Sequence, residues 1–442
     1  MINILRRKTD LKSVLSEKKT DLFFLFFLFA FFFFIYYFLS VSLANTNVFT
    51  ENDILFEIDA QRGIKDITQF SYDHYRTNVH PIYVLFMNPP GEILEKIIHS
   101  PVYAAILLNS FLGAFGVALA YIGFSFLDFD QKQSLLLAAL FGATTSQLFL
   151  SIIPSTMSLA VCSLLFTYLL FAGSIRKKVF HLLPWILAGI LTLGTTTTNV
   201  VQTLICFGIA CYAVNKEKGI FYPLLRCLIF ITCVIVITAG LAILQKAVYT
   251  TTVLFFLPGA YEEDISYASL WIFKIPLVIL GQLFKNFFLI NIAAPIPIVF
   301  PMDGKSLPAL SFTPSTSFTI MGYISAALWL ALIGLAVFSR IKWEKDHTRS
   351  PWNASSWILP GLGLCLLFNF VLHCFYGVGW LDKIEYFLYS GHFTFLVLAI
   401  ISYISKMPAK VMTCLLISLI LCLLINNIQI VTGIITLYSM PS

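Results

Sequence analysis

Residues Glu51–Pro90 read ENDILFEIDAQRGIKDITQFSYDHYRTNVHPIYVLFMNPP, and they are the densest polar stretch in an otherwise apolar chain. Carboxylates, two arginines and two histidines crowd together here, directly after a first Phe-rich hydrophobic run over residues 21–44. Working outward, apolar runs of about 20 residues recur, each long enough to cross the hydrocarbon core of a bilayer. The 442 residues are 59% hydrophobic and 11% charged, with a mean hydropathy of +0.87. A soluble domain carries about 25% charged residues. The pattern predicts an all-α polytopic membrane protein, a single transmembrane domain over 1–442.

The basic residues set an expected path. Arg6, Arg7, Lys8, Lys12, Lys18 and Lys19 place the N-terminus in the cytoplasm, and the first span reads as an uncleaved anchor. Spans are expected at 21–44, 101–127, 134–151, 156–173, 179–194, 200–214, 221–244, 319–339, 356–376, 386–405 and 411–437, about 11 in all. Arg176, Lys177, Lys178, Lys216, Lys218, Arg340, Lys342, Lys345, Arg349, Lys406 and Lys410 then fall in inner loops. The net charge of +6 is thereby explained by orientation, with no nucleic-acid partner implied. Two long outer segments remain, 45–100 and 245–318. The second has apolar pieces interrupted by Lys274, Pro276, Lys285, Pro295 and Pro297, which suits interfacial or re-entrant helices. The outer segments hold most of the acids, among them Asp53, Glu57, Asp59, Asp66, Asp73, Glu262, Glu263, Asp264 and Asp303. The nine cysteines fall in or beside spans and read as small hydrophobes. His181 and His347 are expected inside, and so is Asn353 of an Asn-Ala-Ser triplet.

At about 100° per residue, Leu55–Thr68 gathers Phe56, Ala60, Ile64 and Ile67 on one side of a helix. Asp59, Arg62 and Asp66 gather about a third of a turn away. That reads as an amphipathic helix for the membrane surface. Its ordinary reading is a solvated polar face. Three features favour chemistry instead: the dense run Asp73–Pro81 that follows, the apolar return Ile82–Met87, and the scarcity of charges elsewhere. A carboxylate beside the bilayer can deprotonate a hydroxyl, and arginine makes bidentate contacts to phosphate oxygens. Together they suit transfer of a group from a lipid-linked phosphate to a hydroxyl. No Walker loop, dinucleotide turn or zinc spacing occurs in the sequence.

Asp59-Ala60-Gln61-Arg62, Asp66, His74-Tyr75-Arg76 and His80-Pro81-Ile82-Tyr83 resemble the first outer loop of integral-membrane glycosyltransferases of the GT-C fold. The resemblance is to the bacterial branch that uses polyprenyl-phosphate sugars to modify O-antigen, lipopolysaccharide and other surface glycans. Phe387–His392 resembles a segment such enzymes place near the donor. The family's adjacent acidic pair is missing, so Asp53, Glu57, Asp59 and Asp66 compete for the base. The resemblance implies an active site facing the periplasm from the bacterial inner membrane. It implies an undecaprenyl-type lipid-phosphate sugar donor, plausibly a hexose, and a glycan or glycolipid acceptor. It further implies Asp59 as general base, with Asp66 second. Arg62, His74, Arg76, His80, Tyr389 and His392 would bind donor phosphate or sugar. Apart from the resemblance, Lys285 lies between apolar pieces of the second outer segment, where it either pairs with the lipid phosphate or snorkels to the interface. His373 near the outer end of its span has two readings, a residue lining the same cavity or, the more ordinary one, a satisfied buried histidine. No cofactor is demanded, although the carboxylates admit a divalent metal bridging Asp59 and the phosphate. Two rival readings remain: a polysaccharide polymerase and a non-enzymatic flippase or transporter of lipid-linked glycan. A flippase should carry polar groups through the depth of its spans.

Overall fold

The computed structural model describes residues 2–266, 268, 271–301, 304, 306–312, 317–346, 354–376 and 386–439, with side chains 2–19, 263, 266, 271, 344–346 and 354–355 left out of the description. Asp303, His347, Arg349 and Asn353 lie outside the described residues. The chain is an all-α polytopic membrane protein. In order run α1 (Ile2–Ala44), α2 (Ala60–Thr68), α3 (Tyr83–Ile98), α4 (Pro101–Phe126), α5 (Gln131–Ala143), α6 (Thr145–Ile152), α7 (Met157–Lys177), α8 (Leu182–Thr195) and α9 (Val200–Val214). Then come α10 (Phe221–Val248), α11 (Glu262–Ser266), α12 (Trp271–Lys274), α13 (Pro276–Lys285), α14 (Ile320–Asp346), α15 (Ile358–Phe375), α16 (Thr394–Ile404) and α17 (Ala409–Ser439). One antiparallel pair, β1 (Ile298–Phe300) and β2 (Ala309–Ser311), lies between α13 and α14.

Among the described residues eight helices are long and apolar enough to cross a bilayer, and nine if a bent pair counts as one. The bent pair is α5 and α6, at 58°, where one expected span was continuous. The expected spans at 179–194 and 386–405 are the shorter helices α8 and α16. At 1.5 Å per residue, the 11 residues of α16 rise only about 17 Å. Its first expected residues, Phe387–His392, form a separate 3-10 turn.

A broken helix in an apolar medium must find partners for the backbone groups it frees. At the α5–α6 break the N–H groups of Thr145 and Ser146 donate to the carbonyls of Ile292 (3.1 Å) and Asn291 (2.9 Å). Asn427 of α17 donates to Ala143 O at 2.9 Å. From α1, Tyr36 donates to Gly142 O at 2.7 Å and Ser40 to Ile152 O at 2.6 Å. Leu28, Phe32, Tyr36 and Ser40 form the buried stripe of α1, four residues apart, while Phe26, Phe27, Phe34 and Phe38 stay exposed for lipid.

The first loop departs from the helix expected over Leu55–Thr68. The chain turns tightly before Asp59, with Asp53, Phe56 and Glu57 all at positive φ (63°, 56° and 58°). Such values are strained for residues bearing a Cβ. Phe56 offsets its own strain by burial. Its ring stacks on Phe312 at 4.0 Å and meets Phe149 at 5.2 Å and Phe387 at 5.5 Å. The flanking backbone pairs with β2: Phe56 N donates to Leu310 O at 2.8 Å and Leu310 N to Ile54 O at 2.8 Å. Four elements far apart in sequence are thus locked together under the loop.

Helix α2 is amphipathic as expected, with Ala60, Ile64 and Ile67 buried, but its polar face is buried too: Arg62 is 8% exposed and Asp66 5%. It is therefore a packed interior helix and not a surface one. Gly63 is required by the approach, since a Cβ there would stand 2.5 Å from Pro154 O.

Removing the Phe56 ring should cost about 3–5 kcal/mol of stability, the range for a fully buried phenylalanine. Denaturant unfolding of Phe56→Ala in detergent checks this. A loss below about 1 kcal/mol would contradict the anchoring role.

Candidate active site

Asp59 occupies the N-cap position of α2, yet its side chain makes no capping bond. Asn52 does that work, its Oδ1 accepting from Arg62 N at 2.9 Å. The Asp59 carboxylate is left to pair with the Arg62 guanidinium through Oδ2 and Nη1. On the other side, Arg62 Nε stands 3.8 Å from Asp66 Oδ2, and Asp66 Oδ1 accepts from His74 Nδ1 at 2.7 Å. The i, i+3 and i, i+4 spacings of one helical turn produce this arrangement directly. Burial works against the Arg62 charge, but Asp59, Asp66 and Tyr75 together outweigh it and raise its pKa. Burial also raises Asp66, against the opposing pull of His74 and Arg62.

Past the 3-10 turn Tyr75–Asn78 the second long segment closes over the loop. Arg76 Nη2 pairs with Asp264 Oδ1 at 2.9 Å, and Asn78 Nδ2 donates to Asp264 Oδ2 at 2.6 Å. Thr77 Oγ1 accepts from Val253 N at 2.7 Å, and Thr251 Oγ1 donates to Tyr72 O at 2.8 Å. His80 donates from Nδ1 to Thr195 O at 2.6 Å, with Thr156 Oγ1 3.5 Å from its Nε2. Burial pushes the His80 imidazole down to about 3, so it is neutral at physiological pH. Gln245 of α10 caps the start of α3, its Oε1 accepting from Leu85 N at 2.9 Å while its Nε2 donates to Pro81 O at 2.9 Å.

These residues enclose a cavity of about 260 Å³. One wall is the charged loop: Asn52, Asp53, Glu57, Asp59, Arg62, Tyr75, Arg76 and His80. Ser155–Met157 and Thr196–Thr198 close the sides. The facing wall is Leu372, His373, Tyr376, Leu388, Tyr389 and His392. Among the described residues no three His, Cys, Asp or Glu side chains converge as a metal site.

No protein-family model and no curated protein matches the chain. Among solved structures, the Archaeoglobus fulgidus oligosaccharyltransferase tethered to an acceptor peptide matches at 13% identity with a TM-score of 0.47. The AglB oligosaccharyltransferase of the same organism, with an inhibitory peptide and a dolichol-phosphate, gives 13% and 0.43. Both alignments cover 94% of this chain and 56% of the other, so the chain spans about half the length of those neighbours.

Of the residues singled out in the sequence, Asp59, Arg62, Arg76, His80, Tyr389 and His392 meet at the cavity, although more than 300 positions separate the two groups. Asp66 and His74 do not line it; they stand behind Arg62, 5% and 1% exposed. Lys285 is exposed at the end of α13 and is absent from the lining. His373 does line it, and its Nε2 has no hydrogen-bond partner. Asn52, Tyr75, Thr156, Thr196–Thr198, Tyr376 and the Asp264 partner of Arg76 went unassigned in the sequence. For the threonines the run Thr195–Thr198 at a helix junction was the available signal.

His80 ties stability to pH. Its folded pKa of about 3 lies below the ordinary value of about 6.5, so the unfolded chain binds the extra proton. The stability it contributes is complete above about pH 6.5 and falls as pH drops toward 3, by at most about 1.4 kcal/mol per pH unit. Melting of wild type and His80→Gln between pH 7.5 and 4.5 measures this. The variant should show the shallower fall, and equal slopes would refute the assignment.

Proposed function

We propose that this protein is a membrane glycosyltransferase of the GT-C type, moving a sugar from a polyprenyl-phosphate donor to a hydroxyl of a glycan or glycolipid. The observation that carries the reading is the meeting, in one cavity, of the Asp59 carboxylate, the two arginines of the first loop and the Tyr389–His392 wall. The cavity lies at the Met157 end of α7. The other end of α7 carries Arg176 and Lys177, with Arg176 paired to Asp128 at 2.9 Å. Twenty-one residues separate those ends by about 32 Å. By the positive-inside rule the basic end is cytoplasmic and the cavity faces outward. In a bacterium that is the periplasmic side of the inner membrane, where an undecaprenyl-linked hexose is the donor and a surface polysaccharide or its lipid-linked precursor the acceptor.

In this mechanism Asp59 takes the proton of the acceptor hydroxyl as its oxygen attacks the anomeric carbon. The bond from that carbon to the phosphate oxygen breaks, and the configuration inverts. The departing lipid phosphate keeps the electron pair and is stabilised by Arg62 and Arg76. Arg62 also holds the Asp59 carboxylate in place. Asp66 and His74 act one step removed, holding Arg62 from behind. Asp66, second choice for the base in the sequence, is buried against His74 and Arg62, away from the cavity lining, which supports a positioning role instead.

Asp59→Asn keeps the shape and removes the base, so transfer should fall by about 10²–10⁴-fold, the usual contribution of general base catalysis. Glycan mass spectrometry in a host lacking the gene, complemented with wild type or variant at matched expression, reads this. The expected result is one added sugar mass per repeat with wild type and none with the variant. An unchanged repeat mass with altered chain length would favour a polymerase. Full activity of Asp59→Asn would overturn its role as base.

A further inference from the structure

The two walls of the cavity differ in chemistry. The first-loop wall is charged. The facing wall has no charged side chain: it offers Tyr376, Tyr389 and the imidazoles of His373 and His392. Those histidines are 2% and 3% exposed, neither makes an ion pair among the described residues, and each has an Nε2 with no hydrogen-bond partner. Unpartnered buried nitrogens are costly, so a group supplied from the cavity is the natural partner. The three rings form one surface, with the His373 and Tyr389 centroids 4.7 Å apart at 33° and those of Tyr389 and His392 6.3 Å apart.

The tautomer selects the ligand. His373 Nδ1 stands 3.1 Å from Tyr376 O, a pure acceptor, so Nδ1 carries the proton. Nε2 of the uncharged ring is then an acceptor and needs a donor. The phosphodiester of a lipid-linked sugar is ionised and has only acceptor oxygens, so it cannot fill that place. A sugar hydroxyl can. An imidazolium would donate to a phosphate, but with no carboxylate paired to it among the described residues a buried charge is strongly disfavoured.

We infer that the His373–Tyr389–His392 wall binds the hydroxyls of the donor's sugar, while the arginines of the first loop hold the carrier's phosphate. This rests on the glycosyltransferase reading and deepens it. Specificity for the sugar resides in the turn Phe387–His392 and the end of α15, and the lipid carrier is recognised by the first loop. His373 accepts from one hydroxyl through Nε2, and His392 offers a second nitrogen across the Tyr389 ring. The anomeric carbon then lies in the cavity that these residues share with Asp59.

The test separates sugar from phosphate. Wild type, His373→Phe, His373→Gln, His392→Phe and Arg76→Gln are placed in nanodiscs. Each is titrated by native mass spectrometry with undecaprenyl phosphate alone and with undecaprenyl-phosphate-linked glucose, galactose and N-acetylglucosamine. Loss of one hydrogen bond to the sugar should weaken the best-bound sugar lipid about tenfold in each histidine variant. Binding of undecaprenyl phosphate alone should stay within about twofold, which also reports that the variants are folded. Arg76→Gln should weaken both ligands together. If the histidine variants weaken bare undecaprenyl phosphate equally, the wall is a phosphate site and the inference fails. It fails too if sugar-lipid binding is unchanged in both, or if wild-type binding needs added Zn²⁺ and is abolished by EDTA. If wild type binds the bare carrier but none of the sugar lipids, this inference falls alone. If it binds no lipid phosphate at all, the glycosyltransferase reading falls first.

Discussion

A guanidinium buried between two carboxylates organises this molecule's polar end. Arg62 cannot stay charged in a packed interior unless it is paired. Asp59 at the N-cap of α2 and Asp66 within it supply that pairing from either side, each about one turn from Arg62. Much else follows from the need to hold these three together. Asn52 takes over the capping bond that Asp59 would otherwise make. His74 engages the far oxygen of Asp66. Gly63 lets α2 approach Pro154 closely enough to bury the whole turn. Breaking one member of such a set leaves an unpaired buried charge, which is more damaging than never having had the pair.

The membrane imposes the second constraint. Irregular backbone is tolerated inside an apolar protein only where partners are provided, and the α5–α6 break shows how many are needed. Backbone carbonyls from 291–292, an asparagine from α17 and the Tyr36 hydroxyl of α1 all converge on it, while Ser40 of α1 bonds the far end of α6 at Ile152 O. The break turns α6 so that Phe149 reaches Phe56 and the residues after it, Ser155–Met157, close the side of the cavity. Strain in the first loop, the cluster beneath it and the bent helix are thus parts of one arrangement that presents carboxylates to a cavity at the end of a helical bundle.

Much of this was legible in the sequence. Long apolar runs gave the continuous helices, and the density of charge in Glu51–Pro90 marked the loop. The 3.6-residue period placed Asp59, Arg62 and Asp66 on one face. What the period could not supply was the environment of that face. An amphipathic wheel looks the same whether its polar side meets water or a buried partner, so the sequence does not reveal that Asp66 lies buried against His74 and Arg62, off the cavity lining. The helix start was misplaced because strain at Phe56 and Glu57 is stabilised by rings from 149, 312 and 387, contacts no local pattern encodes. Between the two readings of His373, lining the cavity and satisfied within the bundle, its helical spacing could not choose; the structure places it in the lining with Nε2 unpartnered. Lys285 stands between apolar pieces of the sequence, but a cation's position along the chain does not say which way α13 turns it.

On the proposed function, the carrier's phosphate sits against the arginines of the first loop, and a cryo-electron-microscopy map of the protein in nanodiscs with undecaprenyl phosphate would show it there. The predicted result is phosphate density within hydrogen-bond distance of Arg62 or Arg76, with the prenyl chain leaving the cavity toward lipid. Phosphate density at Lys285 or elsewhere on the surface, with the Asp59 cavity empty, would contradict it.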